Sequence, residues 1–344
     1  MSGPSDDPAA SFRTHAAYAT AYSYLATGGA PLNSAVTQAL GNTGENIQRW
    51  PTPPDGPPTR STDLGAVRRS LRHAWGTELL QARNLEMHDD GLVRLANTWS
   101  IVQTYYVLYH STQALWVARG NERPTSHPKT QGLFISLWVT RNLHLPPLTL
   151  GVGAAGYHNV PAGTSMSQVH PWTNCGRETC WPIAALSLTT TRNDQIDDRK
   201  KRLRDGKTAA KAKEWDNRES TRIAMGKHPR QRPPFKTSQL SPVEQAQAEN
   251  VRSYGLIDYL YRLRIRANYV DASLFTDGPE DDQESTALAV HLGVLSAVTL
   301  MGHEHRVASL VGPATLNQWM DEFIHSHSVP STSSIVRRRQ AYPL

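Results

Sequence analysis

The chain has 344 residues, 38% of them hydrophobic, with 23 prolines and 23 glycines. This length is sufficient for a hydrophobic core, while the low apolar content and the many prolines and glycines predict long irregular segments. Two cysteines exclude a disulfide-rich secreted scaffold, and no run approaches the ~18 apolar residues of a membrane span. The first residues, MSGPSDDPAASF, lack the basic and apolar parts of a signal peptide. We therefore expect a cytoplasmic protein without a membrane partner.

The first 62 residues predict a peripheral N-terminal arm. An alanine-rich helix begins near Ser11 and ends at the glycine pair Gly28-Gly29, because glycine readily adopts the left-handed conformation that closes a helix. The stretch RWPTPPDGPPTRST, residues 49–62, is a proline-rich connector without a packing pattern of its own.

Residues 63–145 predict two long helices and a short one. Asp63 and its neighbours supply N-cap chemistry, and apolar side chains then recur at helical spacing. The second helix, over about 92–119, is apolar around most of its circumference, so we expect it to lie between other helices. It should end at Gly120, and the short helix should precede Pro146.

Residues 146–240 predict an insertion that is first rich in loops and then basic. A helix begins at Ser241, where serine is the N-cap, proline follows, and Glu244 completes a capping box. We expect this helix to continue to about Phe275.

One more long helix should end near residue 311, and residues 312–344 should form a loose tail. The chain is therefore predicted to be all-α: a helical bundle built from 63–145 and 241–311, with a partly irregular, basic insertion between them.

The excess positive charge is concentrated in the insertion. Residues 192–236 carry 15 basic and 7 acidic side chains, a net +8, whereas the remaining chain has 21 basic and 23 acidic side chains, a net −2. Such a segment attracts phosphate backbones, and Lys200, Lys201, Arg202 and Arg204 are candidate RNA contacts. The alternative is a solvated helix, since the segment mixes both signs among good helix formers.

Two stretches resemble the HEPN family. Tyr105-Tyr106-x-x-Tyr109-His110 resembles the signature of the family's second helix, and the turn from Ser126 to Gly132 is similar to the turn that follows it. The stretch from Tyr261 to Tyr269, YRLRIRANY, resembles the RxxADY element, with asparagine in place of aspartate. The resemblance implies a HEPN-like helical bundle interrupted by a large insertion.

The resemblance also implies a site. Many HEPN proteins are metal-independent endoribonucleases whose R-x4–6-H motif is completed across a homodimer. An arginine stabilises charge on the phosphate, and an imidazole moves a proton from the RNA 2′-hydroxyl. At the matching position this chain has Arg264 and Tyr269, and tyrosine, with a pKa near 10, is a poor base. His110 is a candidate base, with a core or dimer-interface histidine as the alternative.

Arg83 and His88 form a second candidate catalytic pair, at the end of the first long helix. Together with Arg68 and His73 and with Arg222 and His228, the chain contains three matches to this spacing, about as many as chance predicts.

A possible zinc site lies in the insertion, where thiol and imidazole side chains gather: His158, His170, Cys175 and Cys180. These are zinc ligands, but their spacing matches no common zinc module, so ordinary free cysteines are the alternative. No other cofactor is indicated.

The sequence thus favours an RNA-directed protein of the toxin or host-defence type, acting as a homodimer and controlled by a protein partner or antitoxin. The alternative is a non-catalytic HEPN-like scaffold that binds a partner protein or a nucleotide. Tyr269 favours the alternative, and the basic segment favours the first.

Overall fold

The computed structural model describes residues 7–50, 61–86, 90–141, 143, 145–153, 177–235 and 239–341. It confirms the all-α prediction, since helices account for 78% of the structure. The helices are α1 (Pro8–Thr27), α2 (Ala35–Gln48), α3 (Leu64–Glu86), α4 (Asp90–Ala118), α5 (His127–Phe134), α6 (Arg177–Ala224), α7 (Pro242–Glu249), α8 (Leu256–Ile265), α9 (Ala272–Thr276), α10 (Asp282–Val311), α11 (Pro313–Ser326) and α12 (Ser334–Ala341). Two short strands, β1 (Gly151–Val152) and β2 (Tyr254–Gly255), pair antiparallel.

The chain forms two compact units. The main unit comprises Met1–Leu188 and Ser253–Leu344, and the small unit comprises Thr189–Arg252. This division differs from the expected insertion at 146–240. Leu148 and Leu150 are buried in the core of the main unit, and so are Ile183 and Leu188 of α6, because these stretches are apolar.

The centre of the main unit is formed by α3, α4 and α10. Helices α3 and α4 run antiparallel and both pack against α10. A buried polar network joins the three helices: the Gln81 amide donates to the Thr104 hydroxyl at 2.7 Å and accepts from the Ser296 hydroxyl at 2.6 Å. As the sequence predicts, α4 is followed by Gly120 in the left-handed region, with φ of 80°.

The first and last described helices contribute to the core, contrary to the expected peripheral arm and loose tail. Phe12 and Tyr22 of α1 are fully buried, because the alanines of this helix allow close approach to its neighbours. At the other end, Met320 of α11 is buried. Arg338 of α12 is also buried, where it pairs with two carboxylates of the central helices.

The central helix α10 is, among the described residues, long and apolar enough by length and composition to cross a membrane. Of its most apolar window, 78% is buried within the protein. A core helix of a large bundle has this same apolar character.

The expected helix from Ser241 to Phe275 is divided into several elements. The capping box at Ser241 and Glu244 is confirmed, but α7 ends at Glu249 and β2 follows. At Gly255 the backbone passes so close to Phe134, Ile135 and Val139 that a Cβ atom would lie 3.0–3.2 Å from their side chains. Helix α8 begins directly after this contact and continues into a π-helical turn, Arg266–Val270.

Within the small unit, the basic segment is helical and contains several ion pairs. Lys200 pairs with Glu249 at 2.6 Å, and Lys207 pairs with Glu244 at 2.8 Å. The buried carboxylate of Glu219 accepts from Arg222 and Arg230. Part of the positive charge is therefore neutralised within the unit.

Candidate anion-binding site

Three helices bring the two HEPN-like stretches together. Tyr105, Tyr106, Tyr109 and His110 lie on the same side of α4, since residues three and four apart are neighbours on a helix surface, and Tyr109 is such a neighbour of both Tyr105 and Tyr106. His127 is the first residue of α5, and Tyr261 and Arg264 lie on α8. We call these seven residues the Arg264 cluster.

Arg264 lies among tyrosine rings. Its guanidinium carbon is 5.2 Å from the ring centre of Tyr105, 5.7 Å from that of Tyr106 and 5.1 Å from that of Tyr261. One terminal nitrogen donates to the Tyr106 hydroxyl at 3.4 Å, and Nε is buried without a hydrogen-bond partner among the residues that the structure describes. The residue is only 7% exposed.

A buried arginine usually pairs with a carboxylate, because transfer of an isolated charge from water is costly. Within the described part of the chain, no carboxylate forms an ion pair with Arg264. Ring faces compensate only in part, at about 0.5–2 kcal/mol for each cation–π contact. The guanidinium therefore keeps the capacity to bind an anion.

His127 contacts the same rings. Its Nδ1 lies 2.6 Å from the Tyr105 hydroxyl, and its ring centre is 4.8 Å from that of Tyr109 and 5.6 Å from that of Tyr261. Burial, followed by the charge of Arg264, lowers the pKa of His127. Burial raises the pKa of Tyr105, so its hydroxyl stays protonated and holds the imidazole in place. At neutral pH His127 is therefore an uncharged imidazole.

His110 extends the cluster towards solvent. It stacks on Tyr106, with ring centres 5.7 Å apart, and on the exposed ring of His73, 5.3 Å away. Burial, followed by the effect of His73 and then of Arg123, lowers the pKa of His110 to about 4. Its Nδ1 has no hydrogen-bond partner among the described residues. His110 is therefore uncharged at neutral pH and keeps one ring nitrogen without a partner, although a hydrogen bond with the Gln113 side chain partly opposes the lowering of its pKa.

The electrostatic environment of the cluster is positive. The charged side chains that lower the pKa values of His110 and His127 are arginines, Arg123 for His110 and Arg264 for His127. Arg123 is held near His110 by Gln113, whose buried side-chain oxygen accepts from Arg123 Nε at 3.0 Å. Positively charged side chains therefore lie at the cluster on α8 (Arg264) and in the loop after α4 (Arg123), and this charge favours an anionic ligand.

The other predicted catalytic residues lie elsewhere. Tyr269 is 73% exposed on the π-helical turn, whereas Arg264 is buried. Arg83 is exposed near the end of α3 and forms an ion pair with Glu86. His88 lies outside the described residues.

The predicted RNA contacts are on α6 in the small unit. Lys201, Arg202 and Arg204 are exposed, whereas Lys200 is half-buried and paired with Glu249. Exposed cations on one helix are compatible both with a phosphate contact and with a solvated helix.

Of the predicted zinc ligands, Cys180 is buried on α6. His158, His170 and Cys175 lie outside the described residues. In the part of the chain that the structure describes, no group of three or more His, Cys, Asp or Glu side chains is arranged to hold a metal ion.

The sequence did not identify His127, Tyr261 and His73 as site residues. The first belongs to the turn that resembles the HEPN turn, and the second begins the stretch that contains Arg264, so both signals were present. His73 was assigned to chance, because its stacking on His110 depends on the packing of α3 against α4.

No family model, curated protein or solved structure matches this chain.

Proposed function

We propose that the Arg264 cluster binds a phosphate group of RNA. The observation that carries this proposal is Arg264 itself, a buried guanidinium among three tyrosine rings with no carboxylate partner in the described residues. The planar guanidinium presents paired N–H donors that can bind two oxygens of one phosphate. A carboxylate partner would instead have neutralised its positive charge.

RNA is favoured over a simple inorganic anion because of the aromatic side chains. Tyr106, Tyr109 and His110 are half-buried, so part of each ring is accessible next to the proposed phosphate position. Unpaired bases stack on such rings, at about 1–3 kcal/mol per base, and double-stranded RNA does not offer these faces. The proposed ligand is therefore single-stranded RNA.

We further propose that the cluster cleaves the bound strand. Neutral His127 takes the proton of the 2′-hydroxyl, the 2′-oxygen attacks phosphorus, and the bond to the 5′-oxygen breaks. The products are a 2′,3′-cyclic phosphate and a 5′-hydroxyl that gains a proton. Arg264 stabilises the negative charge that increases on the phosphate oxygens during this step. For this role the ring proton of His127 is on Nδ1, and this N–H donates a hydrogen bond to the Tyr105 oxygen. The lone pair of Nε2 is then available to accept the proton of the substrate.

The second candidate function is binding without cleavage, by a scaffold that holds RNA or a nucleotide. The presence of Tyr269 where the resemblance expects histidine favours it. The homodimer, the protein partner or antitoxin and the cytoplasmic location stay predictions.

The deciding experiment compares Arg264→Gln with Arg49→Gln, which removes the same charge from an exposed site directly after α2. Binding of a fluorescent single-stranded RNA of mixed sequence is measured by anisotropy. Hydrogen bonds to a charged group contribute about 1.5–3 kcal/mol, so Arg264→Gln should weaken binding about 10- to 150-fold. Arg49→Gln should bind like wild type. Equal affinities of the folded variants would refute the site.

Cleavage of the same RNA, with chelator present, separates the two functions. A wild-type protein that binds through Arg264 but leaves the RNA intact supports the scaffold. Cleavage that is lost in Arg264→Gln supports the nuclease.

A further inference from the structure

A cavity lies in the main unit, at the beginning of α10. It has a volume of about 520 Å³ and lies between α1, the loop that follows α1, and the first turns of α10. None of its lining residues belongs to the Arg264 cluster. A volume of this size accommodates a small organic molecule.

The walls of the cavity are largely apolar. Phe12, Ala16 and Tyr24 line it from α1, and Ala287 and Leu288 line it from α10. Gly29 forms part of the rim with φ of 90°, a conformation that a residue with a side chain rarely adopts. These walls suit an aromatic or branched aliphatic group.

The charged lining residues are all acidic. Asp281 and Glu284 line the cavity, and no lysine or arginine is among the lining residues that the structure describes. One Asp281 oxygen accepts from the Glu284 backbone at 2.8 Å, and one Glu284 oxygen accepts from the Glu280 backbone at 2.9 Å. Each carboxylate thus has a second oxygen outside these bonds. The neighbouring cation, Arg13, already pairs with Glu280.

A buried histidine provides the second, independent sign of a ligand. His291 lines the cavity and is 6% exposed, and its Nδ1 has no hydrogen-bond partner among the described residues. Burial lowers the pKa of His291 to about 4, so the ring is neutral and does not offset the carboxylates. An unpaired buried ring nitrogen is costly unless a partner is available to it.

We propose that this cavity binds a small organic cation, an amine with an aromatic or branched aliphatic body. The ammonium group lies against Asp281 and Glu284, and the body packs against Phe12, Tyr24 and Leu288. Anions are excluded, because the cavity offers them two carboxylates and no positive charge. This proposed binding of an amine does not depend on the proposed binding of RNA at the Arg264 cluster.

The test uses 2-phenylethylamine and its neutral analogue 2-phenylethanol, which have nearly the same shape. Binding of each to the full-length protein is titrated by two-dimensional NMR. The amine should bind saturably and at least about tenfold more tightly than the alcohol, because its hydrogen bonds to the carboxylates are charge-assisted. No saturable binding of the amine, or equal affinity for both molecules, would overturn the proposal.

Three variants locate the site. The double variant Asp281→Asn with Glu284→Gln keeps the hydrogen-bond acceptors of both side chains, and it should lose the preference for the amine. Asp282→Asn removes an exposed carboxylate that does not line the cavity, and it should retain this preference. Ala287→Phe fills the cavity from a half-buried helix position and should abolish binding of both molecules. Amine binding that persists in folded Ala287→Phe would place the site elsewhere and overturn the proposal.

Discussion

Replacement of Arg338 by methionine should strongly destabilise the main unit. The fully buried guanidinium of Arg338 contacts Glu78 at 2.6 and 2.8 Å and Glu304 at 2.9 Å. Methionine fills much of the same volume but leaves two buried carboxylates without their cation. Removal of one partner from such a group costs about 3–5 kcal/mol. For a unit of this size, each kcal/mol lowers Tm by about 2 °C, so we expect a decrease of about 6–10 °C.

The matched control is Arg339→Met. Arg339 pairs with Asp321 at the surface of the same region, and the two side chains are 29% and 56% exposed. An exposed pair contributes at most about 1 kcal/mol, so Tm should decrease by less than about 2 °C. Both variants are compared with wild type by calorimetry or circular dichroism. Similar small decreases for the two variants would refute the argument that the buried carboxylates depend on Arg338.

The pH dependence of Arg338→Met gives a second readout. Burial raises the pKa of Glu304, and Arg338 opposes this shift, so removal of the arginine should raise the pKa further. A carboxyl whose pKa is raised in the folded state binds its proton more tightly there than in the unfolded state. The resulting stabilisation is fully present below the pKa of the unfolded state, about 4.3. The stabilisation is lost as the pH rises through the raised pKa. The Tm deficit of the variant should therefore grow between pH 5 and pH 8.

Three further predictions concern the site, the basic segment and a helix end. His127→Gln should reduce any RNA cleavage by about 10²–10⁴-fold and leave RNA affinity nearly unchanged; a large loss of affinity in anisotropy would contradict this role. Replacement of Lys200, Lys201, Arg202 and Arg204 by glutamine should reduce the salt slope of RNA binding by about 3, and an unchanged slope would favour a solvated helix. Gly120→Ala should cost about 1–2 kcal/mol in thermal unfolding, because φ is 80° there, whereas Gly41→Ala, within α2 and with open space around it, should stabilise.

The sequence predicted those parts of the fold that depend on local interactions. The capping box at Ser241 and the glycine at position 120 correctly predicted a helix start and a helix end. Both signals are readable from the sequence because the interacting groups lie within a few residues of one another. The break before α8 was missed, since the close approach of Gly255 to Val139 depends on packing between distant segments. The burial of α1 was missed for the same reason, as an alanine-rich helix has no strongly apolar face to identify.

The site was predicted in part. Arg264 and His110 were identified through the resemblance, and they lie in one cluster, joined by Tyr106. The expected partner of Arg264 was Tyr269, chosen by its spacing along the chain, but Tyr269 is exposed. The histidine that shares tyrosine contacts with Arg264 is His127, from another helix, and spacing within one motif cannot identify a partner that tertiary packing supplies.

The polar network around Gln81 determines the register of the central helices. Displacement of α3 along α4 by one helical turn, about 5.4 Å, would keep apolar side chains in contact with one another. It would, however, separate Gln81 from Thr104 and Ser296, and each buried group left unpaired costs about 1–3 kcal/mol. The same displacement would move His73 away from His110. The hydrogen bonds among three uncharged side chains outside the Arg264 cluster thus fix the position of His73, at the outer edge of the proposed RNA site.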